Sequence, residues 1–211
     1  MANIEGINGL YLYRNLLSHQ QSIETIQKLD GEKWVPLSLS KKSRKVQHYG
    51  FYYDYTTYNV NEKAPDMPNF IVILCDLLTT KCKELGLIND AYVFNQCIVN
   101  NYECGEGISP HTDLDKFGPV IGCFTFGSGA LMKFTRGDKT TEGDKTTEGD
   151  KTTKNNTCID LYTEDRSLYI MSGEARSIWK HHMPQQSYDI IDGIKIKRGR
   201  RISVTFRNVP Q

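Results

Sequence analysis

The chain has 211 residues, of which 38% are hydrophobic and 24% are charged, and its formal net charge at pH 7 is +1. This length and composition suffice for one domain with a substantial core and exclude a strongly charged disordered chain. A net charge close to zero also excludes a global field that attracts nucleic acid or membranes, so any such partner must be held by a local patch. The longest apolar run, residues 70–75, is too short to span a bilayer, and we expect no membrane association.

The first predicted element is a helix. Ser18 followed by Gln21 has the form of a capping box, which marks a helix start. Apolar residues then recur at helical spacing until Gly31, which predicts a buried stripe formed by Ile23, Ile26 and Leu29.

A second helix is predicted to begin near Pro68, which suits the first helical turn, and to end at Gly86. Its apolar residues at helical spacing are Phe70, Ile73, Leu74, Leu77 and Leu78. The pattern then changes to short strands separated by glycines and prolines, predicted at 92–102, 120–126, 131–134, 167–171, 178–182 and 201–207. Two helices followed by many strands indicate an α+β domain whose strands form a sandwich or barrel.

A hexapeptide repeat interrupts the strand region. Gly-Asp-Lys-Thr-Thr-Glu occupies 137–142 and recurs at 143–148, and a truncated copy fills 149–153. The period is too short for a repeat unit with its own core, and the segment contains no apolar residue. We therefore expect a single domain over 1–211, with a solvated low-complexity insertion at 137–154 that is dispensable for chemistry.

The six cysteines are scattered and form no Cys-x-x-Cys pair, which favours reduced thiols and an intracellular protein over a disulfide framework or a zinc ribbon.

One group of residues has the composition of a metal site. His111 and Asp113 stand two apart, so on an extended segment their side chains point to the same side. Either of the adjacent histidines 181 and 182 can supply a third ligand. Two histidines and one carboxylate leave three positions open on an octahedral ion, as in non-haem Fe(II) oxygenases. A His-x-Asp pair alone is also compatible with an ordinary surface or core histidine.

A second group is suited to an anion. Arg201 and Arg207 lie on one face of the last predicted strand, and its other face is apolar. Two guanidinium groups on a buried face are costly unless an anion pairs with them, and a dicarboxylate cofactor meets that need. Alternatively, each arginine reaches solvent or pairs with an acidic residue. Asn100 and Tyr102 can donate hydrogen bonds to the same anion, or can be outward residues of an ordinary strand.

In combination and order, these segments resemble the AlkB family of Fe(II)- and 2-oxoglutarate-dependent dioxygenases. The similar segments are Asn100-Asn101-Tyr102, His111-Thr112-Asp113, Ser172-Gly173-Glu174, Trp179-Lys180-His181 and the strand from Arg201 to Arg207. The resemblance covers most of the chain, from about Lys33 to Val209. It implies an α+β fold with a double-stranded β-helix (jelly-roll) core and flanking N-terminal helices.

The resemblance also implies roles for individual residues. Iron would be bound by His111, Asp113 and His181; the family usually has glycine after this last ligand, where this chain has His182. The cosubstrates would be 2-oxoglutarate and O2, with 2-oxoglutarate held by Asn100, Tyr102, Arg201 and Arg207 and with lesser contacts from Ser203 and Thr205. Substrate contacts are implied for Arg44, Tyr49, Phe51 and Asp115.

The activity implied is oxidative demethylation: hydroxylation of an N-alkyl group on a DNA or RNA base, then loss of formaldehyde, as in DNA repair. The substrate would be single-stranded nucleic acid or a flipped-out alkylated base, because a stacked base cannot reach the iron. The basic residues 41–45 beside aromatic residues 49–53 suit such a partner, or form a solvated strand pair. The alternative is a related dioxygenase that acts on a protein or a small molecule. We expect a monomer.

Overall fold

The computed structural model describes residues 1–38, 43–136 and 157–210, so Lys41, Lys42 and the whole predicted repeat insertion lie outside the described residues. The helices are α1 (His19–Gly31), α2 (Asn69–Glu84) and α3 (Gly173–Ser177). The first seven strands are β1 (Ala2–Asn3), β2 (Leu10–Tyr13), β3 (Val35–Pro36), β4 (Lys45–Tyr49), β5 (Gln96–Tyr102), β6 (Ile108–His111) and β7 (Ile121–Gly127). The others are β8 (Ala130–Arg136), β9 (Thr157–Thr163), β10 (Ser167–Met171), β11 (Lys180–Met183), β12 (Tyr188–Ile191), β13 (Ile194–Lys197) and β14 (Arg201–Arg207).

Two antiparallel sheets form the body of the fold. The major sheet has the order β1-β2-β10-β7-β14-β5-β4-β3, and the minor sheet has the order β6-β11-β8-β9. One apolar cluster joins Ile121 and Tyr169 of the major sheet to Phe134 and Leu161 of the minor sheet, so the two sheets face each other. This confirms the expected double-stranded β-helix.

A second apolar cluster lies on the opposite face of the major sheet, where α1 and α2 cover it. Leu29 of α1 and Leu74 of α2 pack there with Phe124 and with Val204 of β14. The apolar face of β14 therefore points to the helices, as its alternation predicts, and its polar face points between the sheets. None of the helices in the described part of the chain is long and apolar enough to cross a membrane.

The predicted start of α1 is confirmed in detail. The Ser18 hydroxyl accepts a hydrogen bond from the Gln21 N–H at 3.1 Å, and the Gln21 side chain accepts one from the Ser18 N–H at 2.8 Å. The predicted apolar stripe is only partly correct, because Ile23 is 36% exposed whereas Leu29 is fully buried. The buried face of α1 instead carries Ser22 and Thr25. The Ser22 hydroxyl is held there by a hydrogen bond to Asp165, so a polar residue occupies a core-facing position.

The predicted course of α2 also needs correction. Pro68 is the N-cap residue rather than the first helical residue, and Ile73 is 56% exposed. The buried face contains Leu74 and Leu78, as predicted, together with Ile71 and Cys82. A side chain at Gly122 would lie 2.3 Å from Leu78, so this glycine allows α2 to approach β7 closely.

Each of the six predicted strands corresponds to a strand of the structure, but other strands were not predicted. The bounds of β10 and β14 match the predicted ranges, whereas β5 begins at Gln96 rather than at residue 92. The strands missing from the prediction are mostly two to five residues long, too short for a clear alternation. The segment Ser172-Gly173-Glu174 forms the N-cap and the first two residues of the helix α3.

We expect Leu29→Ala to lower the free energy of unfolding by about 3 kcal/mol, because it removes a fully buried side chain between helix and sheet. Ile23→Ala on the same helix is the matched control and should cost about 0.5 kcal/mol or less. Urea denaturation measures both values. Equal losses for the two variants would contradict the buried face described for α1.

Candidate active site

The space between the two sheets contains an inner cavity lined mainly by polar side chains. All four polar residues of β14 line this cavity: Arg201, Ser203, Thr205 and Arg207. Asn100 and Tyr102 line it too, because they are the direct cross-strand partners of Ser203 and Arg201. Directly opposed residues of neighbouring strands share a face, so the six residues predicted to hold 2-oxoglutarate meet in one place.

The three predicted metal ligands converge beside these residues. His111 at the end of β6 is the direct cross-strand partner of His181 on β11, and the centroids of their rings are 4.4 Å apart. Asp113 follows β6 by two residues, and its Oδ2 lies 3.6 Å from His181 Nε2. One potential ligand atom from each of the three residues lies within 4.8 Å of those from the other two. This set can hold a metal ion.

The structure distinguishes the two adjacent histidines. His181 is buried and lines the inner cavity. His182 is the cross-strand partner of Lys133, on the other face of β11, and is half-buried near Lys133 and Asp160. Only His181 therefore points toward Asp113.

The tautomer of His111 is set by a neighbouring carbonyl. His111 Nδ1 lies 2.8 Å from the Ser109 carbonyl oxygen and donates a hydrogen bond to it. In the neutral tautomer that makes this hydrogen bond, Nε2 has a free lone pair for a metal ion. Hydrogen bonds of this kind commonly orient metal-binding histidines.

The electrostatics of the site favour the protonation states that a cation requires. Burial alone raises the pKa of Asp113, but the Arg207 guanidinium, His181 and His111 outweigh it and lower that pKa to about 2. Burial lowers the pKa of His181 to about 4, although Asp113 opposes this shift. At neutral pH the carboxylate is therefore ionised and the imidazole of His181 is neutral, which is the state that binds metals.

Three buried polar atoms in the cavity have no hydrogen-bond partner among the described residues: Asp113 Oδ2, Arg201 Nε and Arg207 Nη1. Unpartnered buried polar atoms are rare because they are costly. Asp113 Oδ2 is an acceptor beside the two histidines, and the two arginine atoms are guanidinium donors. The acceptor suits a bound cation, and the donors suit an anion next to it. Arg207 Nε also donates to Asp113 Oδ1 at 2.7 Å, so this arginine has an acidic partner as well as a free donor. Arg201 Nη2 donates to the Thr125 hydroxyl at 3.0 Å.

An outer cavity of about 520 Å³ adjoins the inner one. Its walls include Tyr53, Tyr55, Tyr58, Phe117 and Arg44. The residues that line both cavities are Asn100, Ile108, His111, Asp113 and Arg207. A ligand in the outer cavity therefore lies directly against the candidate metal ligands.

The four predicted substrate residues lie in different parts of the structure. Arg44 lines the outer cavity and donates from Nε to Asn100 Oδ1 at 3.0 Å. Tyr49 is buried in the cluster beneath the helices, and Phe51 is buried in a small cluster with Phe117; neither is among the described lining residues of the cavity. Asp115 is exposed at a separate surface depression beside α3. Tyr49 lies five residues after Arg44, so along this extended segment the two side chains point to opposite faces.

Sequence reasoning missed three features of the site. Tyr55 and Tyr58 line the outer cavity, although the segment 51–64 has no periodicity that indicates their orientation. Tyr169 lines the inner cavity from β10, whose fully buried pattern gives no sign of a polar face. Arg176 lies just after the Ser172-Gly173-Glu174 segment and is buried. A single arginine has no sequence signature that separates it from a surface residue.

Two arginines in the short segment before β14 form ion pairs. Arg198 is 4% exposed, and two of its guanidinium nitrogens donate to the Asp189 carboxylate at 2.6 and 2.7 Å. Arg200 pairs with Asp30 at the end of α1. Arg198 therefore links the segment before β14 to β12, and Arg200 links it to α1.

A family model described as 2OG-Fe(II) oxygenase superfamily matches residues 9–207. The chain belongs to this superfamily. It is accordingly a dioxygenase that uses Fe(II), 2-oxoglutarate and O2, and its His-Asp-His set is able to bind the metal.

Similar sequences indicate which branch of the superfamily this chain resembles. The chain is 32% identical to "Uncharacterized protein L905" of Acanthamoeba polyphaga mimivirus, over 99% of this chain and 89% of that protein. It is 30% identical to "Alkylated DNA repair protein ALKBH8 homolog" of Arabidopsis thaliana, over 96% of this chain and 59% of that protein. It is 28% identical to "tRNA (carboxymethyluridine(34)-5-O)-methyltransferase alkbh8" of Xenopus tropicalis, over 95% of this chain but only 32% of that protein.

Two solved structures share the fold. They are OsALKBH1, with a TM-score of 0.61 and 17% identity over 95% of this chain and 96% of that one, and a Pseudomonas putida prolyl-4-hydroxylase, with a TM-score of 0.53 and 11% identity over 96% and 93%. The second similarity is one of fold alone, and so is the first by itself. The family model and the sequence relatives identify the chain as an AlkB-like 2-oxoglutarate oxygenase.

We expect His181→Ala to abolish metal binding, because this variant removes the imidazole that faces Asp113. His182→Ala should bind metal as the wild type does, since its ring lies on the other face of the same strand. Titration with Mn²⁺ alone, followed by calorimetry, measures both affinities. Loss of binding in His182→Ala with retention in His181→Ala would reverse the assignment.

Proposed function

We propose that His111, Asp113 and His181 bind Fe(II), and that the polar face of the major sheet binds 2-oxoglutarate. The six residues for this second role are Asn100, Tyr102, Arg201, Ser203, Thr205 and Arg207. The unpartnered atoms of Asp113, Arg201 and Arg207 support both assignments. A guanidinium can grip a carboxylate through two parallel hydrogen bonds, so two arginines match the two ends of a dicarboxylate.

We further propose that the enzyme removes N-alkyl groups from nucleobases of DNA or RNA. The outer cavity carries this proposal, because its size lies within the usual range for small-ligand sites, about 300–1,000 Å³, and aromatic rings from three tyrosines and Phe117 line it. A planar base can stack on such rings whatever its sequence context. Arg44 adds a positive charge on the same wall, which suits an adjacent phosphate or a base edge.

The protein's own contribution is to orient the substrate and to exclude water. The tyrosines position the base, while Arg44 is itself held in place by Asn100. Iron held by His111, Asp113 and His181 would, with 2-oxoglutarate and O2, supply the oxidation of an N-methyl group to N-hydroxymethyl, with release of succinate and CO2. The hydroxymethyl group then leaves as formaldehyde, and its nitrogen regains a proton. No side chain needs to act as a nucleophile.

The names of the relatives favour a nucleic-acid substrate and leave its type open. They include a DNA repair protein, a tRNA methyltransferase and, at 27% identity over 90% of this chain, the "Probable RNA/DNA demethylase ALKBH6" of Danio rerio. The methyltransferase activity is a property of a protein of which this chain covers about a third. Both DNA and RNA therefore belong in the test.

A succinate-release assay tests the proposal. Purified protein with Fe(II) and 2-oxoglutarate is offered N-methylated single-stranded DNA, the same sequence as RNA, methylated tRNA and a methyl-lysine peptide, each beside its unmethylated form. We expect a methylated nucleic acid to stimulate succinate release and to yield formaldehyde in equal amount. Stimulation by the peptide alone would overturn the proposal in favour of a protein substrate.

We expect Tyr55→Ala to raise the KM for the nucleic-acid substrate about tenfold, because a stacked ring contributes roughly 1–3 kcal/mol per base. Tyr52→Ala is the matched control: Tyr52 also packs against His48 but is not among the described residues that line the outer cavity. Its KM should equal that of the wild type. Equal increases in both variants would contradict a stacking role for this wall.

A further inference from the structure

Arg176 on α3 makes an unusual set of contacts for a buried arginine. Within the described part of the chain, its side chain donates hydrogen bonds only to backbone carbonyls, all of them in the segment 113–118. Nη1 donates to Asp113 at 3.1 Å, Nε to Gly118 at 3.3 Å and Nη2 to Phe117 at 3.3 Å, and Nη2 also donates to Leu114. The residue is 6% exposed, and none of the described ion pairs involves it.

The segment that Arg176 contacts connects β6 to β7 and contains no helix or strand. Within it, the Phe117 N–H donates to the Leu114 carbonyl at 3.0 Å, and the Gly118 N–H donates to Asn208 at 2.9 Å. A single guanidinium that fixes four carbonyls over six residues therefore determines much of the path of this backbone. Loss of that group would leave four buried carbonyls without these partners.

The same segment carries parts of both cavities. Asp113 begins it, while Leu114 and Phe117 line the outer cavity. The Arg207 guanidinium lies 5.0 Å from the centroid of the Phe117 ring. The backbone that Arg176 fixes therefore carries the candidate metal-binding carboxylate and packs against the candidate 2-oxoglutarate arginine.

We propose that Arg176 is a positioning residue that holds the Asp113 carboxylate at the metal site and, through Phe117, shapes the wall of the substrate cavity. This role rests on the proposed function in one respect, namely that Asp113 binds the metal. Arg176 itself is not expected to touch iron, 2-oxoglutarate or substrate. Its effect is exerted through the backbone of the segment 113–118.

Arg198 provides a matched control elsewhere in the fold. It is as deeply buried as Arg176, but its guanidinium binds the Asp189 carboxylate and the Pro184 carbonyl, and it is not among the described residues that line either cavity. The variants Arg176→Lys and Arg198→Lys both keep a positive charge and lose the planar fork. Both should lower thermal stability, so stability alone does not test the proposal.

The decisive measurement is the affinity for Mn²⁺ alone, by calorimetric titration of folded protein without 2-oxoglutarate or nucleic acid. We expect Arg176→Lys to bind Mn²⁺ about tenfold more weakly, as is typical when a group that orients a metal ligand is lost. Arg176→Gln, which also loses the charge, should bind more weakly still. Arg198→Lys should bind Mn²⁺ as the wild type does.

Two results would overturn the positioning role: wild-type Mn²⁺ affinity in Arg176→Lys, or an equal loss of affinity in Arg198→Lys. If Arg176→Gln fails to fold, the comparison of Arg176→Lys with Arg198→Lys still tests the positioning role. A wild-type chain that binds no Mn²⁺ would overturn the metal site and this role together. Failure of every nucleic-acid substrate in the succinate assay would overturn the proposed substrate and leave the Mn²⁺ comparison intact.

Discussion

The contact between the Arg207 guanidinium and the Asp113 carboxylate is the interaction on which the site depends. It joins the last strand of the major sheet to the segment after β6, and both groups are buried. A buried pair of charges is stable only when its remaining donors and acceptors are satisfied. Asp113 Oδ2 and Arg207 Nη1 have no partner among the described residues. The free acceptor suits a metal ion and the free donor suits an anionic cosubstrate, so the pair would lie between these two ligands.

The two faces of β14 explain how a hydrophobic fold accommodates so much charge. One face lies against α1 and α2, and the other forms the floor of the inner cavity. Neighbouring strands supply Asn100 and Tyr102 on one side and Thr125 on the other, so polar side chains flank the cationic face of β14. The helices stabilise the sheet from behind without contributing a residue to the inner cavity, as far as the described chain shows.

Much of this arrangement could be predicted from sequence because it follows from strict alternation. The two faces of β14 and the shared face of Asn100 and Tyr102 follow from the two-residue period of a strand. The choice of His181 over His182 comes from the family resemblance at Trp179-Lys180-His181, because alternation alone leaves both histidines open. The irregular segments could not be predicted in this way. Tyr49 and Phe51 turn into the core, while Tyr55 and Tyr58 reach the outer cavity through a connection without periodicity. Burial of Arg176 and Arg198 depends on long-range partners that no local pattern encodes.

The pairing of β8 with β9 affects how many residues the chain can carry between these two strands. Arg136 and Thr157, the residues on either side of the repeats, are direct cross-strand partners at the end of a register that is unbroken from Ala130 to Thr163. Closure entropy grows only slowly with the number of residues between two paired positions, by about 0.6 kcal/mol per doubling. We therefore expect a change in the number of residues between Arg136 and Thr157 to cost little folding free energy, because the two paired positions keep their register.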